Sequence, residues 1–72
     1  MSPQEITGRV KWYNPAKAYG FIARDDGQGD VFVHRSALDA VPAGTLREGD
    51  HVAFTVEMSP RGPRAENVRL IA

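Results

Sequence analysis

No cysteine occurs anywhere in the 72 residues. No disulfide can support the fold and no thiolate can hold zinc, a composition that suits a reducing cytoplasm. Net charge is absent as well, with nine basic side chains against nine acidic ones, so the chain as a whole has no pull on a polyanion. Long apolar runs are missing, and the longest falls far below the length that spans a membrane. Met1-Ser2-Pro3-Gln4-Glu5 lacks the basic region and following apolar stretch of an export signal. No window of helical length carries a sustained 3.6-residue apolar period.

The periodicity that is present belongs to strands. Ile6 to Asn14 reads as a first strand, stopped by Asn14-Pro15 because proline fixes φ and restricts the residue before it. Tyr19 to Arg24 and Asp30 to His34 follow, joined by the hairpin-length connection Asp25-Asp26-Gly27-Gln28-Gly29, and the three predict an antiparallel meander. A longer irregular stretch with Pro42, Gly44 and Gly49 leads to a fourth strand over 51–57, where Val52, Phe54 and Val56 make one apolar face. Ser59 to Pro63 reads as a tight loop, and 64–71 as a fifth strand with Ala65, Val68 and either Leu70 or Ile71 as core contacts. All five prolines fall at strand ends or in connections. Residues 1–72 are thus expected to form one domain of modest stability, since a chain this short buries only about 60% of its unfolded surface. Closure removes exposed sheet edges, so the expected fold is all-β: a five-stranded antiparallel Greek-key barrel of the oligonucleotide-binding type, with an SH3-like barrel as the alternative.

Five of the six aromatic residues lie between Lys11 and Arg35, among basic side chains. Tyr19 and Phe21 share one parity while Gly20 and Ile22 take the other, and Phe32 and His34 alternate with Val31 and Val33. Successive side chains leave opposite faces of a strand, so each strand has an aliphatic and an aromatic face and only one can be the core. The aliphatic face is the better core, which turns the rings outward. Phe21 and Phe32 taken singly could equally be core residues. Trp12 shares the parity of Val10, so simple alternation buries it, and it reaches the outer face only if the strand twists, bulges or ends near Asn14-Pro15.

Outward rings offer π-faces to unstacked bases, worth roughly 1–3 kcal/mol per base and nearly indifferent to sequence. Charge supports the same surface. Residues 1–24 carry Arg9, Lys11, Lys17 and Arg24 against Glu5 alone, and residues 61–72 carry Arg61, Arg64 and Arg69 against Glu66, while most acids lie between. Lys11, Lys17 and Arg61 are therefore candidates for phosphate oxygens or base edges.

Lys11-Trp12-Tyr13-Asn14, Lys17-Ala18-Tyr19-Gly20-Phe21-Ile22 and Val31-Phe32-Val33-His34, in this order and at these separations, resemble the signature segments of the bacterial cold-shock domain. The likeness continues through Ser36-Ala37-Leu38, Leu46 to Gly49, Arg61-Gly62-Pro63 and Ala65-Glu66-Asn67-Val68, covering nearly the whole chain. The resemblance implies a five-stranded barrel that binds single-stranded RNA or DNA as an RNA chaperone or as a regulator of transcription or translation. It places binding roles on Trp12, Tyr19, Phe21, Phe32 and His34, and on Asp30, whose carboxylate would accept a hydrogen bond from a base edge.

The chain departs from the family at four places. Arg35 and Ala43 stand where aromatics are usual, removing two stacking platforms, although a guanidinium plane can stack on a base and contact phosphate together. Ala18 stands where glycine is usual, so either its φ is negative or the turn is strained. Tyr13 replaces a phenylalanine, and its hydroxyl needs water or a partner.

Other chemistries find no footing. His34 and His51 lie on different strands without a spaced ligand partner, so no metal is expected. Asp25, Asp26 and Asp30 look like a calcium loop, but the twelfth place falls on Ser36 or Ala37 instead of glutamate. No nucleophile pairs with a base, and Gly27-Gln28-Gly29 lacks the lysine and helix of a phosphate loop. The expectation is a monomeric binding protein in the cytoplasm, with no enzymatic activity, cofactor, membrane or small-molecule substrate. A barrel that uses the same patch to bind protein is the rival.

Overall fold

The computed structural model describes residues 5–71. Residues 1–4, whose composition argued against an export signal, lie outside the described residues, as does Ala72. Five strands follow in chain order: β1 (Ile6–Asn14), β2 (Tyr19–Arg24), β3 (Asp30–His34), β4 (His51–Ser59) and β5 (Gly62–Leu70), with one 3₁₀ turn over Arg35–Ala37. That turn carries no periodic signal and was not legible in the sequence.

The strands close in the order β1, β2, β3, β5, β4, the five-stranded Greek-key barrel of the oligonucleotide-binding type. Every pair is antiparallel except β3 with β5. Parity of the ring requires this: an odd number of strands cannot alternate in direction all the way round, so one neighbouring pair must run the same way. The parallel seam meets at a single bridge, Phe32 opposite Arg64. The β4–β5 hairpin stays paired as far as Ser59 opposite Gly62. The loop expected over residues 59–63 thus contracts to Pro60 and Arg61, and the hairpin projects as an arm beside β3.

Val10, Ile22, Val31, Val33, Val52, Phe54, Ala65 and Val68 fill the interior. The aliphatic parity of β2 and β3 thus faces inward. The irregular segment between Leu38 and Asp50 seals the barrel with Leu38, Val41 and Leu46, all buried. It is tied down where the Gly49 N–H donates to the Val10 carbonyl and the Val10 N–H to that of Asp50. Ala53, between Val52 and Phe54, is buried as well, with Thr7 and Arg69 opposite it on the flanking strands.

The last strand buries both expected core contacts, but by a bulge and not by alternation. Ala65 and Val68 are both fully buried although three residues apart, a spacing that alternation forbids. The register between β4 and β5 shifts between Ala53 and Thr55, and Asn67, at φ 52°, takes up the extra residue in the left-handed region that asparagine tolerates. Of the two alternatives for the third contact, Leu70 is 45% exposed and Ile71 is half-buried.

Candidate nucleic-acid interface

The site is built on an irregularity of β1. Val10 pairs with Ile22, but Trp12 pairs with Phe21, so Lys11 is an extra residue without a partner. A bulge of this kind reverses the parity of everything after it. Trp12, which alternation placed with Val10 in the core, emerges 40% exposed beside Phe21. Tyr13 turns the other way and packs, half-buried, against the core. Burial pushes its phenol pKa up, opposed by the positive charge of Arg35. Opposite Tyr13 stands Gly20. A Cβ there would run into the Trp12 carbonyl oxygen and lie 2.7 Å from the Tyr13 Cα, so the bulged strand can approach only a glycine.

Four rings then form a continuous outer surface. Trp12 meets Tyr19 edge to face at 5.4 Å and Phe21 at 5.5 Å, while Phe32 lies 5.8 Å from both Tyr19 and Phe21. These separations fall in the range of favourable aromatic pairs. The rings of Tyr19, Phe21 and Phe32 are half-buried because they cover one another's edges on the outer side of the sheet. His34 completes the surface opposite Tyr19 and is exposed. Its Nδ1 accepts from the Ser36 backbone N–H at 3.1 Å, which leaves the ring proton on Nε2, free to donate outward.

Between the outer face of β3 and the hairpin arm runs an open groove of about 800 Å³. Phe21, Phe32 and His34 line one wall, and Pro60, Arg61 and Pro63 the other. Of the expected site residues, the groove therefore collects Phe21, Asp30, Phe32, His34 and Arg61. Trp12 and Tyr19 extend the ring surface beyond it. Ser36, Ser59, Pro60 and Pro63 also line it, and sequence reasoning missed them, since a proline-rich turn marks only a change of direction. A hairpin arm longer than expected is what brings it against β3.

The charges divide. Lys11 and Asp30, expected as two independent contacts, bond to each other at 2.9 Å. An exposed pair of this kind contributes about 0–1 kcal/mol, so a ligand can separate it at little cost. Lys17, Arg35 and Arg61 form no ion pair among the described residues. Arg35 lies at the edge of the ring surface, where its N–H donates to the Ala18 carbonyl at 2.9 Å. Ala18 itself has φ 65°, so the strained alternative of the sequence reading is the real one.

These residues fall within a matched family. The model of the 'Cold-shock' DNA-binding domain fits residues 6–71. The chain belongs to the cold-shock domain family. It is 53% identical over 64 residues to the cold shock-like protein CspJ of Salmonella typhimurium strain LT2, covering 89% of this chain and 91% of the relative. It is 51% identical over 65 residues to the cold shock-like protein CspA of Stigmatella aurantiaca, covering 90% and 96%. CspG of Escherichia coli K12 is 48% identical over 64 residues, covering 89% and 91%. In a solved structure, drosophila Unr CSD456, the same fold recurs with a TM-score of 0.79 at 19% identity, over 99% of this cold-shock domain and 28% of that chain. No helix among the described residues of the domain is long and apolar enough to cross a membrane.

Proposed function

We propose that this cold-shock domain binds single-stranded RNA or DNA with little sequence preference, through stacking on Trp12, Tyr19, Phe21, Phe32 and His34. Lys11, Lys17, Arg35 and Arg61 supply the attraction to phosphate, and Asp30 accepts from a base edge once Lys11 releases it. One observation carries this reading: a core-forming set of rings lies on the outside of a barrel whose interior is already filled by valine, isoleucine and Phe54. Rings in that position stabilise no core, but they match the faces of unpaired bases. Duplex bases are already stacked on one another and have no face to offer.

Binding unpaired bases competes with hairpin formation, so mass action alone melts weak secondary structure without ATP. This is what an RNA chaperone requires, and it serves equally to expose a ribosome-binding segment or to disrupt a terminator. The domain acts as a cytoplasmic monomer with no catalytic step and no cofactor. Membership of a nucleic-acid-binding family and the absence of cysteine support that part of the reading.

Trp12 reports directly on the surface. Its fluorescence is expected to be quenched by short oligothymidine and by single-stranded RNA, less so as salt rises, and not by duplex. Quenching absent up to millimolar oligonucleotide would overturn the reading in favour of a protein-binding patch.

A further inference from the structure

The hairpin arm leaves the barrel at one place, and three features meet there. Pairing of β1 with β4 ends at Ile6 opposite Phe54, so among the described residues the arm beyond Phe54 has no neighbour on that side. On its other side a single bridge, Phe32 opposite Arg64, ties it to β3. At the same point the register of β4 and β5 slips: between the pairs Ala53–Arg69 and Thr55–Glu66, Phe54 stands opposite both Asn67 and Val68. Asn67 adopts φ 52° to accommodate this. The Thr55 side chain closes over the irregularity, its hydroxyl donating to the Glu66 carbonyl at 3.2 Å and accepting from the Asn67 side-chain amide at 3.3 Å. One hydroxyl thus spans the bulge, using both its donor and an acceptor.

We propose that Thr55 and Asn67 are positioning residues for the bound strand: they hold the bulge that aims the arm, and so set the width of the groove without lining it. The proposal rests on the single-strand reading above. A bulge bends its strand and increases the local twist, so its geometry is carried along everything beyond it. From Thr55 to Pro60 the arm extends by about 16 Å at roughly 3.3 Å per residue, and a change of about 10° at its base would move the tip by about 3 Å. That decides a contact, since a gap of about 0.5–1 Å forfeits a quarter to a half of the attraction between touching atoms. The groove needs such contact from both walls, with Phe21, Phe32 and His34 on β2 and β3 and Pro60, Arg61 and Pro63 on the arm. Neither Thr55 nor Asn67 is among the residues that line it. Residues that only secured the fold would have no reason to affect the arm's wall of the groove more than the rest of the surface.

The test is a titration of Trp12 fluorescence with a short oligothymidine at fixed salt, well below the melting temperature of each variant. Asn67→Gly keeps the left-handed backbone, which glycine adopts freely, and removes only the bond to Thr55. Thr55→Val removes the hydroxyl at nearly constant shape. Each is expected to bind about twofold to tenfold more weakly, and Thr55→Ser, which keeps the hydroxyl, is expected to match wild type. The same substitutions are then combined with Arg61→Ala, which takes the charged side chain off the tip of the arm, and with Lys17→Gln, which alters a cation outside the groove. Asn67→Gly and Thr55→Val should lose most of their effect beside Arg61→Ala and keep all of it beside Lys17→Gln. Affinity unchanged in Asn67→Gly, or a loss of equal size in both backgrounds, would overturn the positioning role while wild-type quenching still upholds single-strand binding. A wild type that shows no quenching overturns both.

Discussion

Phe21 and Phe54 carry the same side chain and serve opposite ends. Phe54 is fully enclosed by the barrel, whereas Phe21 lies on the outer surface with a neighbouring ring on either side. The same division runs through the charges. Toward the start of β1 and the β2–β3 turn, Glu5 pairs with Arg69, Asp26 with Arg24, and Asp25 accepts from Thr7 beside His51. Around the rings, Lys17, Arg35 and Arg61 are left without carboxylates. A net charge of zero therefore does not describe every surface alike: among the described residues the cations Lys17, Arg35 and Arg61 face solvent without a carboxylate, whereas Arg24 and Arg69 are each held by one. Groups that stabilise the barrel are satisfied within it, while groups kept for a ligand are left partly unsatisfied.

The contrast breaks most sharply at the rings. Replacing Phe21 and Phe32 together by alanine removes two stacking platforms and should weaken single-strand binding by about 2–6 kcal/mol, measured by titration, with the fold retained by circular dichroism. Phe54→Ala should do the reverse. It leaves a cavity in the core and is expected to cost about 3–5 kcal/mol of stability, read by denaturant unfolding, which in so small a domain leaves little folded protein. If the exterior pair proved the more destabilising, the division between core and surface aromatics would fall.

Arg35 sharpens the comparison because it exchanges one kind of contact for the other. Arg35→Phe should add roughly 1–3 kcal/mol of stacking and flatten the salt dependence by about 0.7 in slope, and an unchanged slope removes the idea that arginine acts there through phosphate. At the neighbouring turn, Ala18→Gly relieves a left-handed alanine. The strain relieved is about 1–2 kcal/mol, offset by about 0.4–1 kcal/mol of added freedom in the unfolded chain. A net gain of about 0.5–1 kcal/mol is expected in thermal or denaturant unfolding.

The smallest effect belongs to the paired acids. Hydrogen bonds from Arg69, Thr7 and Arg24 hold the carboxyls of Glu5, Asp25 and Asp26 below their ordinary values of 4.5, 3.8 and 3.8. Folded carboxylates with lowered pKa bind protons more weakly than unfolded ones, so their contribution is complete above the ordinary values and disappears as pH falls through the lowered ones. Melting temperature should be level from neutral pH to about 5 and decline below about 4. Asp25→Asn should make that decline shallower, and an equally steep decline would assign it to other groups.

Much of the fold could be read from alternation. Val31 and Val33 against Phe32 and His34 fix which face is wet, because a strand has only two faces and the aliphatic set packs the smaller barrel better. The motif order in 11–34 pointed to the same ring surface by resemblance to the cold-shock domain. Trp12 could not be placed this way, since a bulge is a mismatch between two strands and a single strand carries no record of it. Only the proximity of Asn14-Pro15 hinted at one. Ala65 and Val68 were legible as core contacts, but the bulge that lets residues three apart share a face was not, nor was the reach of the 59–62 arm, both being set by pairing with β4.

What the sequence determined by itself is local: the strands, the parity of their faces, the turn chemistry and the types of side chain available for binding. The tertiary structure decided what depends on two segments meeting. It set the bulge that brings Trp12 out, the bond between Lys11 and Asp30, and the groove under the hairpin arm. Periodicity along one chain encodes direction, whereas distance across the barrel is created only when closure puts residues far apart in sequence side by side.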